Sequence, residues 1–290
     1  KQDLIARKVL AKGYRPDTDK DYIYFPIKEN IDIYKTEDRE VQPTNKIKID
    51  LSSYDQVGDI VIVHEEVSKE SAEKLLQHKN VKVVLRKKGI HQGEFRTQDL
   101  EFLAGEKRKE TIYKENGITM KVNVENSYFS PRLSTERKRI AELVKDNEKV
   151  LVLFSGIAPY PLVIAKLANP QLIVAVEKNP KAHKYALENC KKYKNIELHN
   201  LDAKDFTHKE RFDRIIMPLP MKASDYLTLA ASLLKKGGII HMYDFTKEED
   251  IPESSTKKVK EKLVNAKILN ITKCGQYSPG RYRICVDIEI

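Results

Sequence analysis

The sequence predicts an α/β protein whose C-terminal half is a Rossmann-like domain, a mostly parallel sheet with helices on both faces. From residue 131 onward, uninterrupted apolar strands alternate with amphipathic helices. That alternation is typical of parallel sheets with both faces buried. At the end of the chain, strand patterns at 267–273 and 281–290 follow one another without a helix between them. They therefore predict an antiparallel pair at one edge of the sheet.

The other elements of this domain follow in regular order. Strands are predicted at 150–154, 172–176, 196–198, 214–217 and 238–243, and helices at 134–144, 159–168, 180–193, 223–234 and 255–264. The uncharged stretch 150–165 is shorter than the roughly 20 residues of a bilayer span, and Gly156 and Pro159 interrupt it. An α/β sheet that ends in an antiparallel hairpin is typical of class I S-adenosylmethionine-dependent methyltransferases.

Two smaller domains are predicted before this one, which spans 131–290. Residues 1–48 suit a small N-terminal domain with a helix near 4–10, a strand at 22–27 and a polar linker at 36–45. Residues 49–130 suit an α+β middle domain with strands at 59–63 and 81–85 and a helix at 69–77. Ser68 is a suitable N-cap for that helix, and Glu115-Asn116-Gly117 is a hairpin turn signal.

The charge balance favours a polyanionic partner. The formal net charge is +10, and basic residues concentrate at 79–88, 107–109 and 132–139. One such cluster is most often a solvated face, but together they predict contacts to phosphates, whose affinity depends on salt. A lysine-rich composition also occurs in thermophilic proteins, and charge alone does not separate the two interpretations.

The three cysteines are too few and too scattered for a disulfide framework or a zinc site. No signal-peptide pattern follows Lys1. We therefore expect a cytoplasmic protein with no membrane segment and no metal, and we expect a monomer.

Three successive strand ends carry residues suited to an adenosine. Ligands of doubly wound sheets bind at the carboxyl ends of the strands. The first strand ends at Gly156, where a missing side chain permits close approach of a ligand, and Ala158 replaces the second glycine of a pyrophosphate loop. About twenty residues on, Glu177 is placed to accept both ribose hydroxyls, and Asp202 after the third strand could accept from the adenine amino group. Either acid alone could be a surface cap.

Further motifs extend over most of the chain, from Tyr22 to the end. They are Tyr24-Phe25-Pro26-Ile27-Lys28, Gly93-Glu94-Phe95-Arg96, Leu103-Ala104-Gly105-Glu106, Tyr128-Phe129-Ser130-Pro131-Arg132-Leu133, Glu136-Arg137, Phe154-Ser155-Gly156, Asn179-Pro180 and Pro218-Leu219-Pro220. With them the sequence resembles the archaeal and eukaryotic tRNA (guanine-37-N1) methyltransferases. The resemblance implies S-adenosylmethionine as cofactor and tRNA as partner, with the N-terminal domain at the outer corner and the other two domains around the anticodon loop.

The resemblance implies that Glu136 is the general base and Arg96 the electrostatic stabiliser. Guanine N1 carries a proton at neutral pH, which a carboxylate within hydrogen-bond reach can take. Negative charge then grows on the guanine oxygen, where a fixed guanidinium stabilises it. Without the resemblance, Glu136 would be a first-turn acid favoured by the helix dipole, and Arg96 would be a phosphate contact.

The motifs and the strand ends together give the predicted cofactor-binding residues. They are Tyr128, Phe129, Arg132, Phe154, Ser155, Gly156, Glu177, Lys178, Asn179, Asp202, Ala203, Pro218 and Pro220.

Two positions depart from the pattern of the family that the sequence resembles. Val152 stands where that family usually has an acid before the first turn. Pro218 replaces the asparagine of Asn-Leu-Pro and brings neither a side-chain amide nor a backbone N–H, so we also count it among the catalytic positions. The change resembles an archaeal branch that also methylates carbon 7 of the tricyclic base 4-demethylwyosine. The alternatives are an aminocarboxypropyl transferase of the wyosine pathway and a non-catalytic tRNA-binding protein.

Overall fold

The computed structural model describes residues 17–18, 22–28, 36–37, 54–64 and 66–290, with the backbone alone at 17–18 and 90–92. Two compact units divide the chain, 1–51 and 52–290. In the first unit, β1 (Asp17–Thr18) pairs antiparallel with β2 (Ile23–Tyr24). The predicted helix near 4–10 and most of the predicted linker lie outside the described residues. The domain boundaries at 48 and 130 stay predictions.

The second unit begins with a four-stranded sheet in the described residues. In spatial order it contains β3 (Tyr54–Val57), β4 (Ile60–Val63), β5 (Val83–Gln92) and β6 (Thr97–Gly105). Helix α1 (Lys69–Leu75) joins the parallel strands β4 and β5, and the Ser68 side chain caps it by accepting from the Ser71 N–H. The sequence predicts neither β3 nor β6. Strand β6 carries the exposed Asp99 and the half-buried Glu101 among its apolar residues, which weakens its pattern.

A hairpin follows this sheet. It consists of β7 (Glu110–Glu115) and β8 (Ile118–Asn123). Asn116 has a φ of 44° and Gly117 a φ of 76°. Two successive positive φ angles match the right-handed twist of the strands, which is why Asn-Gly predicts this turn.

The rest of the chain is a seven-stranded sheet with helices. The strands are β9 (Lys149–Leu153), β10 (Leu172–Val176), β11 (Ile196–His199), β12 (Phe212–Met217), β13 (Leu234–Lys247), β14 (Lys267–Ser278) and β15 (Arg281–Glu289). The helices are α2 (Ser134–Leu143), α3 (Pro159–Leu167), α4 (Pro180–Cys190), α5 (Leu227–Leu233) and α6 (Glu253–Lys262). Within the described residues, no helix is long and apolar enough to cross a bilayer.

The order of the strands confirms the predicted Rossmann-like architecture. They lie in the order β11-β10-β9-β12-β13-β15-β14, with β15 antiparallel between β13 and β14. The predicted helix at 223–234 is instead a 3₁₀ turn, Ala223–Tyr226, followed by α5.

The central strand β9 separates two hydrophobic cores. Val150 and Val152 face one core, while Leu151 and Leu153 face the other. Successive side chains of a strand point to opposite faces of the sheet, and burial on both faces explains the uninterrupted apolar pattern. Val152 is fully buried here, so the position that departs from the family pattern contributes to packing.

The hairpin is joined to the C-terminal domain by buried polar contacts. The Lys121 N–H donates to Asn189 Oδ1 on α4 over 2.8 Å, and Asn189 Nδ2 donates back to the Lys121 carbonyl over 3.0 Å. Arg137 of α2 donates to both oxygens of Glu115 over 2.5 Å, and both side chains are only 2% exposed. These contacts fix the β7–β8 hairpin against two helices, α2 before β9 and α4 after β10.

Candidate active site

A cavity of about 1430 Å³ opens at the carboxyl ends of the parallel strands. The turn between β5 and β6, the segment before α2, and the β14–β15 hairpin form its other walls. Typical small-ligand pockets measure roughly 300–1,000 Å³. The cavity therefore has room for more than one ligand.

Most of the predicted site residues meet in this cavity. Those that line it are Arg96, Tyr128, Phe129, Arg132, Phe154, Gly156, Glu177, Lys178, Asn179, Asp202, Ala203 and Pro218. Ser155, Pro220 and Glu136 are predicted site residues that do not line the cavity. Ser155 is buried, and its N–H donates to the Val176 carbonyl. It therefore helps to hold the turn after β9 in place without facing the cavity.

Glu177 is a largely buried carboxylate at the end of β10. Oε2 accepts from the Gly156 N–H over 2.6 Å, and Oε1 accepts from the Asn179 N–H over 2.7 Å. Burial raises the pKa of Glu177, and the backbone donors only partly oppose that effect. Each carboxylate oxygen has a second lone pair, so the side chain can still accept from both hydroxyls of a ribose.

The turn after β9 adopts an unusual backbone conformation. Phe154 has a φ of 57° and Ala158 a φ of 68°, values that non-glycine residues seldom adopt. The Phe154 ring packs edge-on against Tyr226, with centroids 4.8 Å apart. Asn179 at the next turn caps α4, since its side chain accepts from the Lys181 and Ala182 N–H groups.

Lys178 connects two walls of the cavity. Its ammonium group lies 2.8 Å from Asp202 Oδ2 and 2.5 Å from Glu94 Oε1. Asp202 follows β11, while Glu94 lies in the turn between β5 and β6 that also carries Arg96. The hydrogen bond from Lys178 lowers the pKa of Asp202, so this carboxylate remains an acceptor.

Arg96 lies at the tip of the β5–β6 turn, with a φ of 51°. Its guanidinium lies over the Tyr128 ring, 4.8 Å from the centroid. The Tyr128 hydroxyl accepts from Arg283 over 2.8 Å, so Tyr128 connects the turn to β15. This stacking directs a fixed positive charge at the cavity, as stabilisation of a developing anion requires.

Glu136 lies in the first turn of α2, behind the cavity wall. Its side chain is only 4% exposed and accepts from Arg139 and from the Tyr243 hydroxyl. Cys274, which does line the cavity, is a neighbour of Glu136: burial raises the pKa of the Cys274 thiol, and the Glu136 carboxylate raises it further.

Several lining residues lie outside every motif that the sequence analysis identifies. They are Asp55, Val57, His64, Met221, Lys222, Tyr226, Phe245, Cys274, Gln276, Tyr277 and Arg283. Those of the terminal hairpin are distant in sequence from every motif. Their strand pattern predicts pairing and gives no hint that the hairpin borders a site.

The residues at the strand ends fit an S-adenosylmethionine. Glu177 has carboxylate oxygens that can accept from the hydroxyls of a ribose. Asp202 has a carboxylate oxygen that can accept from the amino group of an adenine. A Cβ at Gly156 would lie 3.6 Å from the Tyr128 carbonyl oxygen, an ordinary contact, so the protein leaves open space on this side of the turn, and the φ of 58° favours glycine there. These acceptors therefore match the ribose hydroxyls and the amino group of an adenosine.

Three family models match the chain in succession. They describe the tRNA methyltransferase 5 N-terminal domain at 1–35, the TYW2 N-terminal domain at 41–108 and the TRM5/TYW2 methyltransferase domain at 111–270. The chain belongs to the TRM5/TYW2 methyltransferase family. The family match confirms the resemblance that the motifs indicate.

Curated members of the TRM5/TYW2 family are similar over most of this chain. The tRNA (guanine(37)-N(1))-methyltransferase Trm5b of Pyrococcus abyssi is 37% identical, covering 82% of this chain and 75% of that one. The tRNA (guanine(37)-N(1))/4-demethylwyosine(37)-methyltransferase Taw22 of Nanoarchaeum equitans is 35% identical, covering 82% and 99%. A tRNA(Phe) (4-demethylwyosine(37)-C(7)) aminocarboxypropyltransferase of Methanocaldococcus jannaschii is 33% identical, covering 81% and 97%.

Solved structures of the TRM5/TYW2 family share the fold. The complex of aTrm5 with tRNALeu superposes with a TM-score of 0.75 and 30% identity, covering 100% of this chain and 95% of that one. M. jannaschii TYW2 in complex with AdoMet superposes with a TM-score of 0.66 and 28% identity, covering 82% and 98%.

Proposed function

We propose that this protein transfers a methyl group from S-adenosylmethionine to N1 of guanosine 37 in tRNA. One observation carries the proposal. A single cavity is lined both by Glu177, which follows β10 at the predicted cofactor site, and by Arg96, which lies in the β5–β6 turn. The family membership supports it, because Trm5b of P. abyssi carries that activity in its name.

The protein's own groups would handle a proton and a negative charge. S-adenosylmethionine, when bound, would supply an electrophilic methyl group on a sulfonium, and the electron pair of the broken S–C bond would stay on the sulfur as a neutral thioether. Glu136 accepts the N1 proton of guanine, and the ring nitrogen gains the electron pair that forms the new N–C bond. Arg96 stabilises the negative charge that develops on the guanine oxygen.

Methylation of carbon 7 of 4-demethylwyosine is the second activity of the proposal. Pro218 lines the cavity beside the cofactor residues and offers no side-chain amide to a guanine edge. A wall without that polar group suits a third, fused ring. Taw22 of N. equitans, which is named for both activities, is 35% identical.

Nucleoside analysis tests both activities. The protein is incubated with cofactor and unmodified tRNA, and separately with tRNA that bears 4-demethylwyosine, and the products are separated and weighed. We expect 1-methylguanosine and isowyosine, respectively. An added aminocarboxypropyl group would instead support transfer of that group from the same cofactor. No product together with no heat of cofactor binding would support a non-catalytic tRNA-binding protein.

The remaining parts of the proposal concern partners and location. We propose that tRNA binds at the outer corner and the anticodon loop, and that the protein acts in the cytoplasm as a monomer. The chemistry assigned to Glu136 and Arg96 needs no metal ion, so the methylation rate should survive EDTA. Light scattering of the protein with and without tRNA tests its oligomeric state.

A further inference from the structure

A group of polar side chains, all buried except the partly exposed Arg139, surrounds Glu136 behind the cavity. We call it the Glu136 network, and it comprises Glu136, Arg139, Tyr243, His241 and Asp287. Apart from Glu136, the sequence singles out none of these residues.

Arg139 is shared between two carboxylates. It donates from Nε to Glu136 Oε2 and from Nη2 to Glu136 Oε1, both over 2.8 Å. It also donates from Nη1 to Asp287 Oδ2 over 2.9 Å. The donors of a guanidinium form a rigid planar fork. The contact with Asp287 on β15 therefore fixes the direction in which Arg139 presents its other donors to Glu136.

Asp287 is itself held as an anion. Burial opposes its ionisation, but hydrogen bonds from His241 and Arg139 outweigh burial and hold the pKa of Asp287 well below its usual value. His241 Nδ1 lies 2.6 Å from Asp287 Oδ1, and its Nε2 lies 2.7 Å from Nη1 of Arg214. Because arginine can only donate, Nε2 is the acceptor and Nδ1–H donates to Asp287.

His241 is therefore a neutral donor. Complete burial lowers its pKa, and the hydrogen-bond pattern needs only one ring proton. Among the described residues, His241, Cys285 and Asp287 are close enough together to hold a metal ion. Arg139 and Arg214 already contact this group, so their guanidinium charges take the role that a cation would have.

A second chain reaches Glu136 from β13. The Tyr243 hydroxyl donates to Glu136 Oε1 over 2.6 Å, and the Tyr160 hydroxyl of α3 donates to Tyr243 over 2.8 Å. Burial raises the pKa of both tyrosines well above the usual value. Both hydroxyls therefore keep their protons and remain donors.

We propose that Arg139 and Tyr243 are positioning residues that hold the Glu136 carboxylate for proton transfer, and that Asp287 supplies the counter-charge Arg139 needs when Glu136 takes the proton. This rests on the proposed role of Glu136 as the base. Two donors on different elements fix one rotamer of a side chain that is otherwise free to turn in the first helical turn.

The sharing of Arg139 has a functional reason. Arg139 is only 23% exposed, and a base paired one-to-one with such a guanidinium would leave that cation without a counter-ion as soon as the base accepted a proton. Here Arg139 keeps Asp287 as its partner throughout. The neighbouring pair Arg137–Glu115 is buried too, but Glu115 is the one carboxylate that contacts Arg137 among the described residues, as suits a pair that only has to hold elements together.

Single-turnover methyl transfer to tRNA with guanosine 37 tests the proposal. Tyr243→Phe removes one hydroxyl and keeps the ring. We expect the rate constant to fall about tenfold, the effect of one hydrogen bond to a charged group. The KM for tRNA and the dissociation constant for cofactor should stay within about twofold. Tyr193→Phe, which removes a hydroxyl outside the cavity, is the matched control and should keep the wild-type rate.

Double variants separate positioning from a general structural role. In a Glu136→Gln background, adding Tyr243→Phe should lower the residual rate no further, since the hydroxyl acts through the carboxylate. Asp287→Asn should also lower the single-turnover rate constant by a larger factor when Glu136 is present than when it is replaced by glutamine.

Three results would overturn the inference. These are a wild-type rate in Tyr243→Phe, an equal fall in both backgrounds, and a rise in KM with no change in rate. If the wild-type protein itself transfers no methyl to position 37, the proposed function fails and the positioning role fails with it.

Discussion

Glu136 shows how one buried side chain combines a role in stability with a proposed role in chemistry. It is the buried first-turn acid of α2, and it does not itself line the cavity. Its two oxygens accept from Arg139 and Tyr243. A carboxylate that accepts from this many donors has a fixed orientation, which general-base catalysis requires.

Glu136→Gln should lower the single-turnover methylation rate by about 10²-fold or more, because the amide cannot accept the N1 proton. The affinity for tRNA should change little, since Glu136 is buried. Filter binding and rapid-quench kinetics measure the two quantities. Glu142→Gln on the exposed side of the same helix is the control and should keep the wild-type rate. Equal rates for both variants would remove Glu136 from the mechanism.

Pro218→Asn should weaken methylation of carbon 7 more than methylation of N1. The new amide adds a polar group to the cavity wall, which suits guanine and opposes the fused third ring. Initial rates on the two tRNA substrates, compared in the same preparation, give the ratio. If both rates change by the same factor, Pro218 does not sort the substrates.

The affinity for S-adenosylmethionine should fall as the pH is lowered toward the raised pKa of Glu177. Protonation removes an acceptor from the ribose site, and burial makes it occur at a higher pH than in a free carboxyl. The effect of Glu177 on the stability of the fold has the opposite sign. The folded protein binds the Glu177 proton more tightly than the unfolded chain does, so the contribution of Glu177 to the free energy of unfolding is largest at low pH and is lost as pH rises through the raised pKa. Calorimetry across this range measures the affinity. In Glu177→Gln the pH dependence of binding should disappear.

At the scale of elements, helix α2 connects the hairpin β7–β8 to the C-terminal sheet. One face of α2 carries the buried Arg137–Glu115 pair, while another carries Glu136 and Arg139 toward β13 and β15. The same helix therefore fixes the hairpin and holds the proposed base. Glu136, Arg137 and Arg139 lie within one turn of α2. A substitution that moves the helix at the Arg137–Glu115 pair can therefore also move Glu136.

Arg137→Met should destabilise the protein by about 3–5 kcal/mol, because it leaves the buried Glu115 carboxylate without its partner. Urea unfolding measures the loss. Lys138→Met on the same helix breaks an exposed pair with Glu142 and should cost at most about 1 kcal/mol. The double variant Arg137→Met, Glu115→Leu should recover part of the loss. A loss for Arg137→Met no larger than that for Lys138→Met would contradict the buried-pair account.

For the whole molecule, the net charge of +10 predicts that tRNA binding depends strongly on salt. Raising the salt from 50 to 200 mM should weaken tRNA binding by about tenfold or more, because phosphate contacts release counterions. Cofactor affinity should change far less, since Glu177 is largely buried and screened little. Fluorescence anisotropy with labelled tRNA measures the slope. Salt-independent binding would mean that the basic clusters do not contact phosphates.

The sequence predicts those parts of the molecule that local patterns encode. Strand and helix periodicity gives the Rossmann-like sheet, and Asn116-Gly117 gives the hairpin turn. The spacing of Gly156, Glu177 and Asp202 gives one cavity wall, because parallel strands end at the same edge of a sheet. Strand β6 is not predicted, since Asp99 and Glu101 interrupt its apolar pattern, and Glu101 pairs with Arg86 on the neighbouring strand β5. Such pairing has no local signature.

What the sequence by itself determined is the fold class, the family and the residues at the strand ends, because each depends on order and spacing along the chain. Only the tertiary structure decided what surrounds Glu136. Arg139 and Asp287 are 148 residues apart, and Tyr243 and Glu136 are 107 apart. Their contacts exist because α2 packs against β13 and β15, and the energy of a buried charge depends on those neighbours rather than on the chain near it.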